Sequence, residues 1–157
     1  MYDFIDRPVT SLDPGGRFLI WSMRSWVRAI HAGRCPREAI TPAFVQWRLS
    51  DGLLHMHALM VLLNRDALGD LGFGPLPCNR VREHEALLLG LLRMMRIGSG
   101  ETVRGALSMM VKEDAVTGVM TAMAALGRAM ADAGVFPGVP GHGAAANDSS
   151  PRNYGRA

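Results

Sequence analysis

One pattern limits what this chain can fold into. Apolar residues recur every three or four positions in long runs, and glycine or proline interrupts each run. In PGGRFLIWSMRSWVRAIHAG, Leu19, Met23, Trp26 and Ile30 share one stripe; from Glu113 to Ala133, Val116, Val119, Met123, Leu126 and Met130 do the same. This is the period of an amphipathic helix, and no stretch alternates polar with apolar residues as a half-buried strand would. Such a chain can bury its stripes only against one another. The expected fold is therefore all-α, a compact helical bundle of about six helices, some of them short.

The interruptions set the boundaries. Asp13-Pro14 reads as an N-cap with proline at the first helical position, and the helix it opens runs to about Ala32 and stops at Gly33. CPREAITPAFVQWRL carries Pro36 and Pro42, each suited to a first turn, which predicts two short pieces with Thr41 capping the second. A third segment, capped by Ser50 or Asp51, runs to about Leu68, and the loop GDLGFGPLPCN follows. RVREHEALLLGLLRMMRI is the next helix, ending at Gly98; Ser99 caps a shorter one, and the last spans about Glu113 to Ala133. Gly118, Ala122 and Ala129 leave room for a close helix neighbour. Residues 1–136 thus read as one helical domain with a short N-terminal arm. Residues 137–157, nearly free of large apolar side chains, read as a flexible tail.

Composition narrows the function classes. The formal net charge of +3 is mild, well short of the dense basic signature of a dedicated nucleic-acid binder. All basic residues but Lys112 are arginine, which favours planar, bidentate contacts. Cys35 and Cys78 stand alone rather than in a Cys-x-x-Cys pair, as suits a reducing compartment. The first residues, MYDFIDRPVTSLDPGG, do not resemble a signal peptide, and no apolar run approaches the roughly 18 residues that span a bilayer. The expectation is a cytoplasmic protein without a membrane span.

The segment from His55 to Glu85 concentrates histidines, a cysteine and carboxylates. On a helix, residues two apart point to nearly opposite sides, so His55 and His57 cannot ligate one metal together. His84-Glu85 lacks a second histidine one turn on, so the zincin motif is absent. A composite set of His55, Cys78 and His84 is the one metal candidate, though structural zinc sites usually pair their ligands more closely. Otherwise His84 is expected in an apolar interior beside Val81, Leu87, Leu88, Leu91 and Met95. There it would face the preceding helix as an antiparallel neighbour and pin the Cys78 loop. No nucleophile elbow or phosphate loop occurs, and GFGP reads as a proline-ended turn. Cys35, flanked by Arg34 and Arg37 before Pro36, has a modest case for thiol reactivity. Nothing here supports an enzyme, and no cofactor is implied.

The first helix is more informative. Arg17, Arg24 and Arg28 lie opposite its apolar stripe with Trp21 among them. In the simplest arrangement a neighbouring segment, such as the arm through Phe4 or Ile5, covers Trp21 and an arginine stacks on it. Alternatively the face docks a protein partner, since Trp and Arg are enriched in interface hot spots. A third option is an anionic ligand or nucleic acid. Arg82, Arg93 and Arg96 line the polar side of the fourth long segment with Glu85, as expected for a solvated face.

The succession FLIWSMRSWVRAIHAGRCP, an apolar helix, then PLPCNRVREHEALLLGLLRMM resembles a family of short bacterial helical proteins of unknown function. The similarity covers roughly residues 12 to 135 and implies one helical domain; no activity, cofactor or catalytic residue comes with it. The expected function is a protein-interaction or regulatory module. Its alternatives are anion or nucleic-acid binding through Arg17, Trp21, Arg24 and Arg28, and a metal- or thiol-dependent activity around Cys78 and His84.

Overall fold

The computed structural model describes residues 3–139. Six helices follow a short 3-10 turn at Val9–Ser11: α1 (Pro14–His31), α2 (Pro36–Gln46), α3 (Ser50–Asp66), α4 (Glu83–Arg96), α5 (Gly100–Ser108) and α6 (Glu113–Asp132). The described residues contain no strand, only isolated bridges at Pro8–Arg80 and Ala67–Val111. The all-α expectation holds. Local chemistry explains the boundaries it anticipated. The Asp13 carboxylate accepts from the Gly16 N–H at 2.8 Å and Pro14 follows it, while Gly33 leaves α1 with a φ of +66° that side chains other than glycine's rarely adopt.

The α6 stripe of Val116, Val119, Met123, Leu126 and Met130 is buried throughout. α3 lies antiparallel along it, because small residues let the two backbones approach at both ends. A Cβ on Gly118 would sit 3.3 Å from Leu62, and one on Gly52 would sit 3.4 Å from Ala129. Four helices meet at the centre, where Leu19 and Met23, Leu59, Leu88 and Leu92, and Met123 and Leu126 surround a void of about 20 Å³. That is room for no more than about one water, so the interior is close-packed there. Aromatic residues collect at one end, where Phe18 meets Phe44 edge-on at 4.9 Å and Trp47 at 4.8 Å.

Several expectations need correction. α2 is one helix with Pro42 inside it, not two pieces. Pro42 is solvent-exposed, so the carbonyl it leaves unpaired can bond water, and the Thr41 hydroxyl donates back to the Arg37 carbonyl instead of capping. α4 starts at Glu83 because residues 79–81 are engaged elsewhere: the arm pairs with them through Asp6 N–H to Val81 O and Val81 N–H to Arg7 O. α5 ends at Ser108, and the chain after it is engaged with the end of α3: the Leu68 N–H takes the Met110 carbonyl and the Lys112 N–H takes that of Asp66. The principal neighbour of α3 is α6 rather than α4. The tail boundary at Phe136 also moves. Pro137 is buried, and the Gly138 N–H donates to the second oxygen of the Asp13 carboxylate. Residues 140–157 of the expected tail lie outside the described residues.

His57, on α3, is half-buried. Its Nδ1 accepts from the Trp26 indole N–H at 3.0 Å, which requires that nitrogen to be unprotonated. Burial, and then the nearby Arg37 charge, hold its pKa below the ordinary 6.5. Relative to the unfolded chain the fold disfavours the proton. The stabilisation is therefore complete above pH 6.5 and is lost as pH falls below it. Tm should drop between pH 7 and pH 5, and more steeply than in His57→Gln, whose amide oxygen can still accept from Trp26. Equal slopes in the two proteins would remove His57 from the account.

Candidate functional site

The face of α1 that carries Arg17, Trp21, Arg24 and Arg28 divides into two kinds of residue. Arg24 is turned inward and buried, against the expectation that it faces a partner. Its Nε donates to Glu85 Oε1 at 2.7 Å and its Nη2 to Glu85 Oε2 at 2.8 Å, a bidentate pair. The remaining N–H groups go to backbone carbonyls: Nη1 to Pro75 and Cys78, and Nη2 also to Arg80 at 2.8 Å. All five donors of the guanidinium are used. The Glu85 hydrogen bonds raise the Arg24 pKa, outweighing the burial that works against the charge.

Glu85 is equally committed, and it is fully buried rather than part of a solvated α4 face. Oε1 also accepts from the Gly74 N–H and Oε2 from the Arg82 N–H, each at 2.8 Å. The second contact covers the N-terminus of α4 in the manner of half a capping box. Gly74 is required here, since a Cβ would stand 2.8 Å from Arg24 Nη2 and 2.9 Å from its Cζ. The glycine of GFGP thus serves close packing on a guanidinium. One ion pair fixes the loop from Gly74 to Arg82 against α1.

That loop forms the wall of a cleft of about 530 Å³, with Trp21, Ile20 and Arg17 of α1 on one side and Leu76, Pro77 and Cys78 on the other. Val9 and Thr10 close one end. The closure is a set of hydrogen bonds: Thr10 N–H to Asn79 Oδ1 at 3.0 Å, Asn79 Nδ2 to the Thr10 hydroxyl at 3.2 Å, and Val9 N–H to the Asn79 carbonyl. The cleft contains no carboxylate. Trp21 is 37% exposed, and among the described residues neither its indole N–H nor the guanidinium of Arg17 or Arg28 has a hydrogen-bond or ion-pair partner. The arm does not cover Trp21. Phe4 is instead buried, with Arg93 stacked over it at 5.7 Å.

The other candidates are dispersed. His84 is half-buried, and its Nδ1 accepts from the Gly72 N–H at 2.9 Å; it pins the Gly/Pro loop, but from the edge of the core rather than from within it. Cys78 lines the cleft, and Cys35 is exposed on the α1–α2 turn; both thiols are free. His55 opens onto a different groove, between α3 and α6, with Trp47 at one side. At about 930 Å³ this groove is larger than the cleft, but its floor is alanine and its charges, Arg48 and Arg128 against Asp51 and Asp132, balance. His55, Cys78 and His84 therefore form no common ligand set. Among the described residues no three His, Cys, Asp or Glu side chains group as a metal site would need. No described helix is long and apolar enough to cross a membrane. No family model, curated protein or solved structure matches this chain, so the bacterial-family resemblance gains no support from comparison.

The Arg24–Glu85 hub escaped the sequence reading because both residues sit where helical periodicity predicts solvent. The available signal was the glycine- and proline-dense loop beside two opposite charges, 61 positions apart. A loop with few side chains of its own needs a foreign donor for its carbonyls.

Proposed function

We propose that this protein is a small interaction module whose α1–loop cleft docks a segment of a partner protein, one presenting a carboxylate beside a bulky apolar side chain. The observation that carries this is the cleft's construction: an exposed tryptophan and an unpaired arginine beside a wall fastened by a buried ion pair. A preformed wall lowers the ordering cost of binding, and Trp and Arg are the residues that most often dominate interface energy. Leu76, Pro77 and Ile20 supply apolar contact, while Arg17 and the indole N–H supply donors to an anionic acceptor. The free cysteines suit a reducing compartment, so we assign the module to the cytoplasm.

Nucleic acid is the second possibility, favoured by the unpaired Arg17 and Arg28 on either side of Trp21. Magnitude argues against it. Two phosphate contacts give a log–log salt slope of only about −1.8, against the roughly six to ten contacts of an established binder. The test is affinity capture from the native host with the wild-type protein, Trp21→Ser, Arg17→Glu and a distant surface control, Met109→Ser. One partner should be retained by wild type and control and lost by both cleft variants. Capture unaffected by the cleft variants, or tight salt-dependent binding to generic duplex DNA, would displace this proposal.

A further inference from the structure

A second concave site lies between α4 and α6, away from the α1 cleft, and its chemistry is of another kind. It holds about 230 Å³, and its walls include Leu92, Met95, Met123 and Phe136. Two arginines, Arg96 and Arg128, stand at its exposed mouth, and no carboxylate lines it. Arg128 also borders the α3–α6 groove, where Asp132 lies one turn beyond it, but no ion pair joins the two among the described residues. Arg96 is stacked 4.5 Å from the Phe136 ring, which leaves its charge unneutralised and fixes it at the lip. The absence of a side chain at Gly127 contributes to the space. A Cβ there would lie 3.2 Å from Leu92 and 3.4 Å from Phe136.

An apolar hollow ringed by two cations and no anion is complementary to a ligand with an apolar body and an anionic head. We infer that this pocket binds a small carboxylate with an aliphatic body. The size limits the body. Pockets for drug-sized ligands start at roughly 300 Å³, whereas an apolar cavity of about 150 Å³ already accepts benzene. Scaled from that cavity, the pocket takes an aliphatic body of roughly seven to nine carbons, with the head group left outside at the mouth. Two guanidinium forks at the mouth match a carboxylate head better than a neutral one, because charge-assisted hydrogen bonds are about twice as strong as neutral ones. Leu92 and Met123 are shared with the small central void, so the tail end of such a ligand points toward the bundle centre.

Octanoate, octanol and octylammonium, titrated into full-length protein with methyl-labelled methionine, test the assignment. Octanoate should shift the Met95 and Met123 methyl resonances and leave Met109 and Met110 unmoved. Arg96→Gln/Arg128→Gln should weaken octanoate at least tenfold with octanol unchanged. Ala131→Leu, which fills the pocket from a half-buried position on α6, should abolish the Met95 and Met123 shifts while the buried Met56 and Met60 signals report an intact core. Octanol or octylammonium binding as tightly as octanoate would overturn the proposal. So would octanoate shifts centred on Met109, or octanoate affinity unchanged in the double arginine variant.

Discussion

Glu85→Ala should destabilise this protein by about 3–5 kcal/mol, because it leaves the buried Arg24 guanidinium without its counter-charge. For a domain of this size that corresponds to a fall in Tm of roughly 10 °C or more. The double variant Arg24→Met/Glu85→Met is more telling. A buried ion pair that serves only itself can often be replaced by apolar residues at little cost. Here the pair also satisfies the carbonyls of Pro75, Cys78 and Arg80 and the amides of Gly74 and Arg82. An unpaired buried polar group costs about 1–3 kcal/mol, so the double variant should remain well below wild type. Amide hydrogen exchange provides the local readout: Gly74 and Arg82 should lose protection in both variants. A Glu85→Ala protein that melts within a degree or two of wild type, with the Gly74 amide still protected, would show that the loop is held by something else. Because the loop is the cleft wall, both variants should also lose the proposed docking activity.

Gly15→Ala should cost about 3 kcal/mol, near the upper end of ordinary overpacking. A Cβ at Gly15 would stand 2.0 Å from the Val135 carbonyl oxygen and 2.9 Å from its carbon, and these are backbone atoms that cannot rotate aside. The segment after α6 would have to lift from α1, giving up the buried Pro137 and the Gly138–Asp13 hydrogen bond. Gly105→Ala is the contrasting case. It lies inside α5 with nothing within 4 Å of the added carbon, and should stabilise by about 0.5–1 kcal/mol through helix propensity alone. Urea denaturation of the two variants separates the effects; a Gly15→Ala protein as stable as wild type would mean that residues 135–138 do not pack where the structure puts them.

The cleft shows which parts of a site periodicity reaches. Arg17, Trp21 and Arg28 follow from position on α1: residues opposite a buried stripe face away from the core, and all three are exposed. Arg24 obeys the same periodicity and is nonetheless buried, because the loop from Gly74 to Arg82 covers it. His84 was foreseen as the residue that pins that loop, whereas Glu85, its neighbour, was assigned to solvent and makes the stronger attachment. Helix spacing gives the direction of a side chain. It does not say what lies in that direction.

The same distinction runs through the fold. The sequence alone determined that the chain is helical, where α1 begins, that Gly33 and Gly98 end α1 and α4, and that Val116, Val119, Met123, Leu126 and Met130 of α6 enter the core, because these depend on neighbours within one or two turns. Only the tertiary structure decided that α3 lies against α6, that Pro42 stays inside α2, and that residues 79–81 pair with the arm instead of starting α4. It also decided that Asp13 holds the chain at both Gly16 and Gly138. Pro42 apart, whose place depends on that side of α2 facing water, each of these joins groups far apart in sequence. Each depends on which hydrogen bonds and apolar surfaces remain unsatisfied once the local structure has formed, and periodicity along one segment carries no record of its partners.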